Sequence, residues 1–374
     1  MKILQVVTLL SPDGAYGGPL RVAMNQARAL TSLGHEVTIA AGVRGYAGAH
    51  PKADGFHDLK LFPAHFLTPQ RRFAAISAPS LISFVRRTSR YFDVVHVHMA
   101  RDLITLPAAI ALRSSPTPFI LQCHGMIGIS SRVSARFVDF FVRRSLTAAA
   151  RVLYLTEDER QSLEAISNYG ASLTLLLNGV PQTEAMPAPS VPEVLFLARL
   201  QERKRPVAFV EMARTLLDDG AKATFTLVGP DEGEGDAVRL AIRASGHSKS
   251  IVWEGSLPPA DTLGRMSSAS IYVLPSVNEI VPMSVLEAMS LARAVVITDS
   301  NGLAPIVRAA HAGVVVDTSQ ESLVDGVRQL LSSPQLAAQL AHNAHELITR
   351  DFSIESIARV LEEIYLQSIE PKSR

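Results

Sequence analysis

Glu279 and Glu287 stand eight positions apart in NEIVPMSVLEAMS, where a strand-like run, IYVLPS (271 to 276), hands over to a helix-like one. Proline loses nothing in a first helical turn, where its missing N–H would find no intrahelical partner, so Pro282 marks the helix start. This puts Glu279 in the loop and Glu287 inside the helix, roughly 8 Å beyond Pro282 at ~1.5 Å rise per residue. The free N–H groups of Met283, Ser284 and Val285 are then expected between the two carboxylates. Such an array can hold a diphosphate on the helix N-terminus while a carboxylate on each side accepts hydrogen bonds from sugar hydroxyls. Sugar, diphosphate and ribose follow one another in that order in a nucleotide sugar.

Basic side chains suited to a phosphoanion occur upstream. In FLARLQERKRP an apolar run ends at Arg199, and Lys204 follows five residues later. A guanidinium can grip two phosphate oxygens in one plane and an ammonium adds a compact charge, so this pair at a strand's C-terminal end suits a diphosphate leaving group. Arg203 and Arg205 share the stretch, and a solvated basic loop is the competing reading. LVGPDEGEGD closes another run with Gly229 and Pro230 and then places four acids among eight residues. Acids are favoured in the first turn of a helix, which accounts for them better than a metal does. GAYGGP offers Gly14, Gly17 and Gly18 before a helix expected from Pro19, at a spacing unlike the G-x-G-x-x-G fingerprint. His96 and His98 share one strand face in HVHMARDL without a third ligand of suitable spacing, so buried or rim histidines are expected. In LQCHGMI, Gly125 permits a tight turn that exposes His124.

These residues need a scaffold. Apolar runs recur with helical stretches between them: KILQVVTL, EVTIAAG, DVVHVHM, PFILQCHG, RVLYLT and LTLLLN, then EVLFLARL, ATFTLVG, SIVWEG, IYVLPS, AVVITDS and GVVVD. They are apolar throughout and do not alternate, as expected of parallel strands covered on both faces. At 374 residues the chain exceeds the size at which one core stops growing, and two Rossmann-like α/β domains follow. The proline-rich VPQTEAMPAPSVPE separates the two series, so 181–193 is expected as a linker between domains over 1–180 and 194–352. SIESIARVLEEIYLQSI has helical spacing of Ile354, Ile357, Val360, Leu361 and Ile364, with Ser353 as its cap.

Composition narrows the class. With 47% apolar and 19% charged residues the chain suits a cytosolic α/β enzyme and not a disordered one. Cys123 is the only cysteine, which rules out an intramolecular disulfide and reads as a small core residue. No stretch reaches the roughly 18 apolar residues of a membrane span, and MKILQVVTLLSPDG lacks a cleavage pattern, so a soluble or peripheral protein is expected. The net charge of +1 conceals a split: residues 1–177 carry 19 Lys and Arg against 11 Asp and Glu, and 178–374 carry 17 against 24. The basic half points to an anionic partner.

The spacing and setting of Glu279 and Glu287 resemble the E-x7-E motif of the GT-B family of retaining glycosyltransferases usually numbered four, with Val281-Pro282 where an aromatic-glycine pair is common. FLARLQERKRP, GPDEG, the Gly17-Gly18 pair and the His124-Gly125 step resemble other motifs of that family, so the resemblance covers essentially the whole chain. It implies the GT-B fold: α/β, two Rossmann-like domains with a cleft between them, and a C-terminal helix (353–374) crossing back to the N-terminal domain. By the same resemblance Glu279 contacts the transferred sugar, Glu287 the ribose, and Arg199 and Lys204 the donor diphosphate. Gly17 and Gly18 belong to the loop beneath the diphosphate, Gly229 lets the donor approach the backbone, and His124 sits beside the sugar. Catalytic roles thus fall to His124, Arg199, Lys204 and Glu279, and donor binding to Gly17, Gly18, Gly229, Met283, Ser284, Val285 and Glu287. No metal or cofactor is implied beyond the UDP- or GDP-sugar donor.

Other functions make different demands. A dinucleotide oxidoreductase needs the glycine fingerprint that is missing here, and a ribose-binding acid ~20 residues further on. A non-catalytic nucleotide-sugar-binding member of the fold stays open, as does a phosphorylase or epimerase, because fold does not fix function. RRFAAISAPSLISFVRRTSR and SSRVSARFVDFFVRRSL mix apolar faces with Arg and suit an anionic membrane, hence a saccharide or lipid-diphosphate-linked acceptor at its cytoplasmic face. The charge comes without a nucleic-acid motif, and no nucleic-acid partner is expected.

Overall fold

The apolar runs fold into two open parallel sheets in a computed structural model that describes residues 1–12, 18–46, 58–68, 73–128, 133–185, 189 and 191–370. The strands are β1 (Lys2–Leu10), β2 (Glu36–Val43), β3 (Asp58–Pro63), β4 (His65–Phe66), β5 (Ile76–Ser77), β6 (Val94–His98), β7 (Phe119–Gln122), β8 (Arg151–Tyr154) and β9 (Leu173–Leu175), followed by β10 (Glu193–Leu197), β11 (Thr224–Val228), β12 (Ile251–Trp253), β13 (Ile271–Leu274), β14 (Ala294–Thr298) and β15 (Val314–Val316). The helices are α1 (Gly18–Ser32), α2 (Pro79–Thr88), α3 (Thr105–Leu112), α4 (Val133–Ala148), α5 (Glu157–Ser167), α6 (Pro206–Asp218), α7 (Gly235–Ala244), α8 (Thr262–Ser267), α9 (Met283–Ser290), α10 (Ala304–Ala309), α11 (Gln320–Ser332), α12 (Pro334–Asp351) and α13 (Ile354–Ile369).

One compact unit takes Met1–Gly179 together with Ile354–Arg374, and the other Val180–Ser353. In the first, seven strands run in the order β3-β2-β1-β6-β7-β8-β9, paired in parallel, while β4 and β5 form a small antiparallel ribbon. All the strands expected from this half are present. The edge strand β3 was not among them, because DLKLFP alternates and stays half exposed where a central strand would be apolar throughout. The apolar stripe of α13 lies against α1: Ile354, Ile357, Leu361 and Ile364 share a core with Ile3, Val7, Leu30 and Ile120. At the rim of that contact His35 Nε2 lies 2.8 Å from Glu362 Oε1.

The second unit repeats the plan with the order β12-β11-β10-β13-β14-β15. Part of the proline-rich stretch belongs to this unit: the Val180 amide donates to the Phe352 carbonyl at 2.9 Å, and the Thr183 hydroxyl to that of Ser290 at 2.6 Å. Strand order reverses between β10 and β13, and beyond the carboxyl ends of such a pair an open α/β sheet leaves room for a ligand. Both sequence segments singled out for phosphate and sugar chemistry leave the sheet at that point.

Candidate functional site

In the second unit, β10 runs out into Arg199, and a short 3-10 turn, Glu202–Lys204, brings Lys204 back toward the sheet. This loop is tied to the one after β13, since the Val277 amide donates to the Arg203 carbonyl at 2.9 Å and Arg203 Nη1 donates to the Asn278 carbonyl at 3.0 Å. Asn278 takes a left-handed turn at φ 55°, and Glu279 then pairs with Asn301 in a short parallel bridge, its carbonyl accepting from Gly302 N at 2.8 Å. Held from both sides, the Glu279 carboxylate sits 2.7 Å from Lys204 Nζ, with both side chains nearly buried. Arg203 Nη1 approaches the same oxygen at 3.5 Å from a more exposed position. Burial lowers the Lys204 ammonium's pKa, and Glu279 offsets part of that shift.

The start of α9 differs from expectation. Pro282 is the N-cap, in extended geometry (ψ 119°), and not the first helical residue. Its carbonyl therefore closes the first turn, and Val285 N donates to it at 3.1 Å. Val285 drops out of the free amide array, which leaves Met283 and Ser284. Ser284 Oγ lies 2.7 Å from Tyr272 Oη, which also reaches the Leu197 carbonyl at 3.0 Å, so this turn is fixed to the two central strands. Glu287 is buried on α9, one turn into the helix.

Arg199 faces a carboxylate of its own: Nη1 donates to both oxygens of Glu232, at 2.8 and 2.9 Å. Asp231 Oδ1 accepts from the amides of Gly233 and Gly235 at 2.9 Å each, at the entry to α7. Asp236, in the first turn of α7, accepts from Arg239 Nη2 at 2.7 Å, so three of the four acids have protein partners. Among the described residues, no group of three or more His, Cys, Asp and Glu could hold a metal. Gly229 has φ 146°, and a Cβ there would stand 1.9 Å from the Ala198 carbonyl oxygen, so the neighbouring strand's backbone already requires glycine. Gly18 opens α1, with nothing within 4 Å of an added Cβ. Gly14 and Gly17 lie outside the described residues.

In the first unit β7 ends in a tight turn with His124 at φ 51° and Gly125 at φ 71°. Buried Glu159 anchors it, accepting from Gly125 N at 2.5 Å and Leu155 N at 2.7 Å. Burial raises the Glu159 pKa, and those two N–H groups pull it partly back. His124 Nε2 lies 2.8 Å from Nδ1 of His98, which is buried together with His96. Desolvation pushes His96 and His124 down to about 3 and His98 well below the usual range, so the rings are neutral. Cys123 is a buried core thiol, its pKa raised by the same burial. Glu159, Tyr272 and Asn301 escaped the sequence reading. Each acts on a residue distant in the chain, and only the tyrosine's place in IYVLPS offered a signal.

The chain matches the family model for glycosyl transferases group 1 over residues 187–347 and the glycosyl transferase 4-like domain over residues 17–179. It is 25% identical over 271 residues to the alpha-D-kanosaminyltransferase of Streptomyces kanamyceticus, covering 66% of this chain and 70% of that protein. Sucrose-phosphate synthase from Thermosynechococcus elongatus superposes with a TM-score of 0.80 at 17% identity, covering 98% of each chain. Anabaena HepE, solved in complex with UDP and glucose, gives a TM-score of 0.74 at 17% identity, covering 97% of this chain and 98% of that one. With one matched domain in each unit and the same fold along the whole chain, the protein belongs to the family-4-type glycosyltransferases of the GT-B fold.

Proposed function

We propose that this glycosyltransferase moves a hexose from a UDP- or GDP-sugar to an acceptor hydroxyl with retention of anomeric configuration, in the assembly of a cell-surface polysaccharide or glycoconjugate. The observation that carries this reading is the buried Lys204–Glu279 pair, 2.7 Å apart at the carboxyl ends of the central strands and just ahead of α9. A cation for the leaving diphosphate and a carboxylate for the sugar hydroxyls are what such a donor requires. The complex of HepE with UDP and glucose supports a donor of this class. In the reaction the bond from the anomeric carbon to the diphosphate breaks and the acceptor oxygen bonds that carbon on the same face. The acceptor's proton passes to the departing diphosphate oxygen. Arg199, Lys204 and the amides of Met283 and Ser284 meet the charge that develops there, Glu287 holds the ribose, Gly17, Gly18 and Gly229 leave room for the donor, and His124 helps to hold the sugar. Neither a protein base nor a metal is needed.

Titration with UDP and GDP in excess chelator tests this. The wild type is expected to bind one of the two nucleotides, and Lys204→Ala and Arg199→Ala to bind it about ten- to a hundredfold more weakly, as loss of a charged hydrogen bond implies. Arg203→Ala should cost little, since its 3.5 Å pair is 42% exposed on the Arg203 side. Equal losses at all three positions would reduce the site to a diffuse basic loop. Binding that returns only with magnesium would hand the diphosphate charge to a metal.

The acceptor side of the proposal rests on the first unit, where α2 ends in Arg86 and Arg87, Tyr91 and Phe140 are exposed, and the Arg144 guanidinium lies 5.2 Å over the Phe140 ring. Among the described residues no helix is long and apolar enough to cross a membrane. This surface suits peripheral contact with anionic lipid and an acceptor carried on a lipid diphosphate. Each Arg contributes on the order of 1 kcal/mol at an anionic surface, and salt screens it. The wild type should sediment with anionic vesicles at low salt, and a variant neutralised at Arg86, Arg87, Arg143 and Arg144 should not. A wild type left in the supernatant would favour a soluble saccharide acceptor.

A further inference from the structure

The first unit buries a row of polar side chains that the transfer chemistry above does not use. Gln5 on β1 stands across from His96 on β6, and His98 across from Gln122 on β7, all on one face of the sheet. Helices α1 and α13 cover that face. They add Gln26, whose Nε2 donates to Gln122 Oε1 at 3.1 Å, and Tyr365, whose hydroxyl lies 2.7 Å from His96 Nδ1. All six side chains are fully buried. Two imidazoles of the row continue into that of His124 beyond it, His96 stacked on His98 with ring centres 4.5 Å apart and His98 beside His124 at 5.1 Å, the latter pair within 8° of parallel. The stack therefore runs from beneath α13 to the turn that carries His124.

Geometry limits what His98 can be doing. Its Nδ1 is 2.8 Å from His124 Nε2, while its Nε2 meets no hydrogen-bond partner among the described residues. Between two neutral imidazoles such a contact holds one proton, so one ring donates and the other accepts. The choice settles the rest of His124: if Nε2 donates, Nδ1 is left as an acceptor, and if Nε2 accepts, Nδ1 carries the hydrogen. The backbone at His124 is left-handed, a conformation that a non-glycine residue keeps only when its surroundings hold it. As packing alone His98 is a poor choice, because a buried ring with a bare nitrogen is less favourable than leucine.

We propose that His98 is a positioning residue for the transfer reaction, fixing the ring plane and the proton of His124 without touching substrate itself. This rests on the reading of His124 as a ligand of the donor sugar. His98→Leu keeps the volume and removes the contact, whereas His98→Asn sets an amide near the position of Nδ1. The leucine variant is expected to melt at or above the wild-type temperature, since a bare buried nitrogen is gone. Its kcat nevertheless falls about tenfold or more, with the donor KM moving less than about threefold, and the asparagine variant recovers most of the loss. Nitrogen-15 shifts of His124 should report one tautomer in the wild type and the asparagine variant, and an average of two in the leucine variant. An unchanged kcat in His98→Leu overturns the proposal, as does a loss that asparagine fails to repair or a tautomer that does not respond. His124→Ala separates this from the reading beneath it. Wild-type kcat in that variant removes His124 from the site, and any role for His98 with it, while an impaired His124→Ala beside an unimpaired His98→Leu removes the role of His98 alone.

Discussion

Glu279→Ala is expected to lower kcat/KM for sugar transfer by about a hundredfold, the 1.5–3 kcal/mol of a charged hydrogen bond taken near its upper end. Two losses combine. On the proposed reading the sugar would lose a carboxylate acceptor, and Lys204, 2.7 Å away and nearly buried, loses its counter-ion. Burial already draws the Lys204 pKa down, and Glu279 is the main influence opposing it. Without Glu279 that pKa falls further, so the ammonium gives up its proton as pH rises through a lower value. As pH rises, nucleoside-diphosphate affinity of the variant should then decline at a lower pH than that of the wild type. Because the two residues touch, the double variant with Lys204→Ala should be less impaired than the product of the single effects predicts. Additive losses, or wild-type kinetics in Glu279→Ala, would show that the pair does not act as a unit.

The largest effect on stability is expected at Gly229. Alanine there would place its Cβ 1.9 Å from the Ala198 carbonyl oxygen and 2.6 Å from its carbon, at a φ of 146° that a side chain disfavours by itself. No rotamer relieves a clash with backbone. The turn cannot slide away either, because Gly229 N donates to the Gly255 carbonyl at 2.8 Å and Trp253 Nε1 to the Gly229 carbonyl at 3.1 Å. Gly229→Ala should therefore cost about 3 kcal/mol or more and lower the melting temperature by roughly 10 °C. Gly233→Ala is the control. Its φ is also positive, at 114°, but nothing lies within 4 Å of the added carbon, so only the backbone strain of about 1–3 kcal/mol remains, without the clash. Equal melting temperatures for the two variants would mean that the contact with Ala198 relaxes.

What could be read from the chain follows from which interactions are local. The parallel strands were legible because burial on both faces writes an unbroken apolar run, and β3 was not because an edge strand half exposed to water alternates. At the site, residue type and spacing marked Arg199, Lys204, Glu279 and Glu287, since a helix start after a strand is a local feature. Which of them would pair was not marked. The pairing of Lys204 with Glu279, of Arg199 with Glu232, and of His98 with His124 depends on which strands lie side by side, and strand order is not written in any single segment. The error over the Val285 amide was smaller in scale: a proline can stand at the N-cap or one residue later, and only the backbone angles distinguish the two.

The place of α13 bears on how the molecule is made. Its apolar stripe completes the core of the first unit, yet in the chain it follows all of the second. A ribosome delivers the second unit as one continuous stretch that can close its own sheet at once. The first unit emerges earlier but keeps the face formed by Ile3, Val7 and Leu30 uncovered until Ile354 to Tyr365 arrive. Over that interval it is a domain with a missing wall, and an apolar face left open is the part of a nascent chain that attracts chaperones or other chains. Removal of α13 would make that transient state permanent, so losing these few residues should harm the first unit, although the cut falls just after the second.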